Sequence, residues 1–157
     1  MKEIPWWTAR SPWLHPTTPE STESLINNLP PPGITFTARM DGTAMNDADG
    51  VFTEFYKKFR LPDYFGWNWA ALRDCLRDLN WITANQYLLV VRNSSHVLSV
   101  SQDERKTFLR ILTQSAEDWA RPQAKAGGAG IPFNVIFEEE ENALNALAPA
   151  IGEIDVP

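Results

Sequence analysis

The sequence is short of the residues from which many sites are built: 157 residues hold one cysteine, Cys75, and two histidines, His15 and His96. One cysteine excludes an internal disulfide framework and any multi-cysteine metal cluster. The two histidines lie far apart and neither has zinc-ligand spacing, so no metal is expected. No apolar run approaches the ~20 residues of a membrane span. The opening "MKEIPWWTARSPW" lacks the apolar stretch of a secretory leader, and the expected setting is cytoplasmic. Positive charge is scarce as well, with 14 Lys and Arg against 20 Asp and Glu and a net charge of −6. A protein that coats nucleic-acid phosphates needs a basic face, so direct nucleic-acid binding is not expected. An acidic chain suits a basic partner, because opposite fields steer encounter. No GxSxG, HExxH or GxGxxG occurs. "AGGAG" at 126–130 lacks the lysine and hydroxyl of a phosphate loop and precedes a strand-like segment. Neither a catalytic residue nor a cofactor is expected.

What the chain does have is tryptophan, seven of them, and twelve prolines. Residues 1–33 read as a Trp/Pro-rich extension, able to form an extra strand or to wrap the main domain, with a short helix. Thr18 caps that helix, Pro19 takes its first position, Leu25, Ile26 and Leu29 form a stripe, and "PPPG" ends it. "ITFTARM" from Ile34 to Met40 alternates as a half-buried strand, with Ile34, Phe36, Ala38 and Met40 on one side, and Asp41-Gly42 turns the chain. Val51, Phe52, Phe55, Tyr56 and Phe59 recur at helical spacing after a cap at Asn46 or Asp47, and Pro62 stops the helix.

A second helix starts from Asn68, with Trp69, Leu72, Cys75, Leu76 and Leu79 inward and Ala70, Arg73, Asp74 and Arg77 outward. Cys75 on that inner face is a buried structural residue, not a nucleophile. "QYLLVVR" reads as a strand covered on both faces. "SQDE" is a capping box opening a further helix, with Phe108, Ile111, Leu112, Ser115 and Trp119 buried. "IPFNVIF" reads as a last strand. Helical crossovers join parallel strands, so the order implies a small parallel α/β layer fold.

The stretch "LPDYFGWNWAALRDCLRDL" sets Tyr64, Phe65, Trp67 and Trp69 within six positions, at the mouth of a charged helix. Its plainest reading is structural, with rings packed and Asp74 paired to Arg77 three residues later. The acidic run Glu138–Glu141 reads as a solvated strand end, and 139–157 as an acidic tail. Trp6, Trp7 and Trp13 are expected to pack on the sheet, because burying an indole is worth more than displaying it.

This segment resembles the barstar family of intracellular bacterial ribonuclease inhibitors. The "LP-acid-Y-aromatic-G-x-N" turn carries the likeness, with "AL-x-DCL" on the following helix and the spacing back to the "DG" turn. It covers residues 34–138 and is similar to longer members with a "PWLH"-like leading segment. The resemblance implies a three-stranded parallel sheet packed with helices, extended N-terminally. It implies a protein that blocks a ribonuclease active site with an acidic helix, and a basic ribonuclease or ribonuclease toxin as partner, in an immunity or antitoxin role. Residue by residue, Tyr64 matches the contacting tyrosine, Gly66 and Asn68 the turn, and Asp74 the principal acid, with Trp67 and Trp69 around them. Ala70 stands where many relatives carry an acid, and Arg73 where barstar carries a tryptophan. The acid offered from the helix after residue 101 has Gln114 as its nearest counterpart. Two other readings stay open. One is a module of the same fold that docks a partner through its aromatic turn or Trp-rich N-terminus without inhibiting a nuclease. The other is a hydrolase using Asp63 and Asp74 as paired carboxylates in one pocket.

Overall fold

A computed structural model describes residues 8–27, 33–122 and 130–140. The elements run β1 (Leu14–Thr17), α1 (Pro19–Asn27), β2 (Thr35–Asp41), α2 (Ala48–Lys58), α3 (Trp69–Asp78), β3 (Gln86–Arg92), α4 (Gln102–Ala120) and β4 (Phe133–Glu138), with short 3-10 turns at Gly42–Ala44 and Ser94–His96. All strand pairs are parallel, in the order β1-β4-β3-β2. The sheet therefore has four strands, not the expected three. The fourth comes from the N-terminal extension: Leu14 to Thr17 pair with Val135 to Glu138. "LHPT" is too short to show an alternating pattern, and Pro16 lacks an N–H. An edge position tolerates both features.

β3 is an inner strand and is buried from Gln86 to Val91. Parallel strands of this kind need both faces covered. On one face α2, α3 and α4 bring Phe52, Phe55, Leu72, Leu76, Phe108 and Leu112 into a single core with Met40, Leu89, Val91, Val135 and Phe137. On the other face Leu88, Val90 and Ile136 are also buried, and α1 lies against β4. Among the described residues no helix is long and apolar enough to cross a membrane.

Local signals act much as their chemistry requires. Thr18 Oγ1 accepts from Ser21 N at the start of α1. Asp47 caps α2 through Gly50 N at 2.9 Å, while Asn46 instead donates to Thr43 O. Ser101 caps α4 through Glu104 N at 3.3 Å. The return arm of that capping box is not made, because Ser101 N donates to Leu98 O. A side chain at Gly42 would come within 2.2 Å of Asn93 O, so the turn after β2 passes the end of β3 too closely for anything larger.

Three expectations change. Ile34 lies just before β2 and is exposed; its backbone N–H is held by Asn85 Oδ1. Glu139 is buried rather than solvated. Its carboxylate accepts from Ser95 N, Ser95 Oγ and Glu140 N, tying the end of β4 to the turn after β3. Asp74 does not pair with Arg77, which bonds Asp118 of α4 instead. Trp13 is buried in the core as expected. Trp6, Trp7, the side chains of Leu25, Ile26 and Leu29, most of "PPPG" and "AGGAG", and the tail from 141 lie outside the described residues.

His15 ties the added strand to the sheet. Asn134 Nδ2 donates to Thr8 O at 2.9 Å, which leaves Asn134 Oδ1 to accept from His15 Nε2 at 2.9 Å. Burial pushes the His15 pKa below 6.5, and the Asn134 hydrogen bond offsets this only in part. Below pH 6.5 the unfolded chain takes up the proton more readily than the folded one. This stability is therefore complete above pH 6.5 and is lost as pH falls through the folded pKa. For Glu139, burial would raise the pKa, but the Ser95 and Glu140 donors and the nearby His96 charge outweigh it and hold the group below 4.5. Its contribution is present above pH 4.5 and is lost below it. Thermal unfolding midpoints should thus fall in two stages on acidification. His15→Gln should remove the stage just below pH 6.5 and leave the lower one. An unchanged upper stage in that variant would contradict the role given to His15.

Candidate functional site

The aromatic turn divides its rings by burial. Phe65 is buried and meets Phe52 edge-on at 5.9 Å. Trp69 meets the same Phe52 at 4.8 Å and Phe108 of α4 at 6.1 Å. Tyr64 and Trp67 point outward, 73% and 46% exposed. Trp67 lies over Tyr56 at 5.2 Å and Phe65 at 5.3 Å, and Tyr56 donates its hydroxyl proton to Asp63. Two rings thus anchor the turn and two are displayed on a firm base.

The backbone of the turn is held at its end by Asn68. Its Oδ1 accepts from Ala71 N at 2.8 Å, capping α3, and its Nδ2 donates to Gly66 O at 3.2 Å. The left-handed residue is not Gly66 but Trp67, with φ of +54°. A bulky residue rarely adopts that conformation, and here the ring contacts with Tyr56 and Phe65 accompany it. Gly66 serves a different need, since a Cβ there would sit 3.2 Å from Asn68 Nδ2 and crowd the hydrogen bond back to Gly66.

From this fixed start α3 runs along α4. Trp119 Nε1 donates to Leu76 O at 2.8 Å, and Arg77 pairs with Asp118. Both contacts clamp the far end of α3. Asp74 is left with 72% of its side chain exposed, and its one ion pair among the described residues is with Arg73 Nε at 3.6 Å. Cys75 points the other way into the core, where burial raises its thiol pKa and the Asp74 and Asp78 charges add to the effect. It is poorly suited to act as a nucleophile.

Arg73 was expected on the outer face. It is instead half-buried in a groove of about 230 Å³ between α3 and α4, lined by Trp69, Ala70, Arg73, Thr107, Arg110, Ile111 and Gln114. The groove brings together three of the expected positions, Trp69, Ala70 and Arg73, with Gln114. Thr107 and Arg110 are additions that motif reading missed. The signal was available, since 107, 110, 111 and 114 follow helical spacing and form a stripe beside the core stripe of α4. Tyr64, Gly66, Trp67 and Asn68 form the turn, and neither Asp63 nor Asp74 lines the groove. Asp63 is engaged by Tyr56, so the paired-carboxylate pocket of a hydrolase finds no support. Among the described residues no group of three or more His, Cys, Asp or Glu could hold a metal ion.

Comparison with protein families finds a match to the family described as Barstar (barnase inhibitor), over residues 35–138. No curated protein matches the sequence. Among solved structures the chain is similar to that of Cdc6p from Pyrobaculum aerophilum, with a TM-score of 0.54 and 16% identity over 90% of this chain and 36% of that one. The chain thus spans about a third of the length of that protein, and at this identity the likeness concerns fold alone.

The geometry separates scaffold from display. Asn68→Ala removes the α3 cap and should lower unfolding free energy by about 1 kcal/mol in denaturant titrations. Asn68→Asp keeps an acceptor for Ala71 N and should recover most of that loss. Tyr64→Ala should stay within about 0.5 kcal/mol of the parent, as expected for an exposed side chain. A loss at Tyr64 equal to that at Asn68 would show that the tyrosine belongs to the scaffold.

Proposed function

Because the chain belongs to the barstar family, whose members are inhibitors and not enzymes, we propose that it binds a basic ribonuclease and blocks the active site with Asp74. The observation that carries this reading is an exposed carboxylate on a helix held at both ends. A carboxylate presented in this way receives charge-assisted hydrogen bonds from Arg, Lys or His where an RNA phosphate would otherwise sit. Because α3 is already ordered, little conformational entropy is lost on docking. Tyr64 and Trp67 supply an aromatic rim that excludes water around the ion pair. Gly66 and Asn68 hold the rim in register with the helix.

In this reading residues 34–138 form the inhibitory domain, 1–33 an extension that lends β1 to its sheet, and 139–157 an acidic tail whose first residue, Glu139, is tied to Ser95. The setting is cytoplasmic, and the target is a ribonuclease toxin paired with its immunity protein. Trp69, Ala70 and Arg73 set partner choice rather than general affinity. Ala70 withholds a carboxylate one helical turn before Asp74, and Arg73 places a cation beside it. Both changes disfavour a uniformly cationic enzyme surface.

The test is inhibition of barnase-type and other small microbial ribonucleases, including any encoded beside this gene, by wild type and Asp74→Ala in parallel. Loss of a desolvated charge pair costs about 2–5 kcal/mol, a range that includes measurements on the barnase–barstar pair itself. Inhibition should therefore weaken at least about tenfold in the variant. Affinity unchanged within about threefold would remove Asp74 from the site. A companion truncation of residues 1–7 leaves β1 in place. It should not affect inhibition, whereas a module docking through its Trp-rich start would lose its partner.

A further inference from the structure

The groove between α3 and α4 has the opposite polarity to Asp74. Arg73 and Arg110 enter it from facing helices, and Trp69 and Ile111 supply apolar walls. Arg73 Nε is shielded from solvent without a hydrogen bond, its nearest acidic atom being Asp74 Oδ1 at 3.6 Å. Among the described residues Arg110 has neither an ion pair nor a hydrogen bond. Two arginine side chains with unused donors, lining one recess of about 230 Å³ from opposite helices, suit one small planar anion.

We infer that this groove receives an acidic side chain, Asp or Glu, of the protein partner, held between the Arg73 and Arg110 guanidinium groups. This rests on the proposed function and deepens it, for it describes the partner's surface. That surface carries a carboxylate beside the cationic site that takes Asp74, because Arg73 Nε lies 3.6 Å from Asp74 Oδ1. Charge complementarity supports this choice, since guanidinium forks match carboxylates in plane and spacing. The size of the recess and the apolar walls that Trp69 and Ile111 give it favour a protein side chain over a free ion. Gln114 offers its side-chain amide N–H to the same carboxylate, while the Thr107 hydroxyl, which donates to Asp103 O, can only accept from a neighbouring backbone N–H. The groove thereby selects for partners of mixed polarity and against those whose contact surface is positive throughout.

The test does not need the ribonuclease. The full chain, labelled with nitrogen-15, is titrated with acetyl-tetraglutamate-amide at low salt, following the arginine Nε–H resonances. Acetyl-tetralysine-amide and inorganic phosphate serve as comparisons. The Arg73 and Arg110 signals should move together along a saturable curve and exceed the shifts of the exposed Arg39 and Arg60. In Arg110→Gln the Arg73 response should weaken at least about threefold, because one fork of the clamp is gone. Equal responses at all four arginines would overturn the proposal, as would a response to phosphate with none to tetraglutamate. If the clamp responds but no ribonuclease is inhibited, the groove assignment stands and the inhibitory reading fails. If inhibition is found without the clamp response, the reverse holds.

Discussion

Covering both faces of β3 is the constraint on which the rest of this molecule depends. Its run of apolar residues is stable only if one face meets α2, α3 and α4 and the other is also closed from water. The requirement sets where α3 can lie. Leu72, Cys75 and Leu76 must point at the sheet, which leaves Ala70 and Asp74 facing away. Displaying Asp74 is therefore a by-product of burying the inner face of the same helix. The indole of Trp119 and the Arg77–Asp118 pair then hold α3 against α4. Together the two helices form the walls of the groove.

The aromatic turn follows from the same economy. Phe65 and Trp69 close the end of the core around Phe52, and this burial holds the exposed Tyr64 and Trp67 in place. Large rings left exposed in water, as Tyr64 and Trp67 are, form a costly surface. They make sense as an interface in which aromatic anchors exclude water from a charge pair. In the proposed interface, an exposed acid with a basic groove beside it gives a partner two features to match, which would narrow the range of partners more than affinity alone.

Much of the layer architecture was legible because it rests on period. The helical stripe Val51, Phe52, Phe55, Phe59 and the continuous run in β3 follow directly from what each face must bury. The caps at Asp47, Asn68 and Ser101 were legible from side-chain chemistry. β1 was harder to see, because four residues containing a proline have no period, and pairing with β4 joins positions over a hundred residues apart. Glu139 looked like one member of a solvated acidic run. Its burial depends on Ser95, which local sequence does not bring near. In the site, the turn and Asp74 were recognisable by motif. The groove was not, because Arg73 and Arg110 meet only when two helices pack, and a motif confined to one helix carries no record of the other.

The most direct measurement is the structure of the complex with an inhibited ribonuclease. The Asp74 carboxylate should lie within hydrogen-bonding distance of cationic side chains in the enzyme's active site, with Tyr64 and Trp67 packed around that contact. An enzyme bound elsewhere, with Asp74 still facing water, would contradict the account. In that case exposure of this carboxylate would have nothing to do with inhibition.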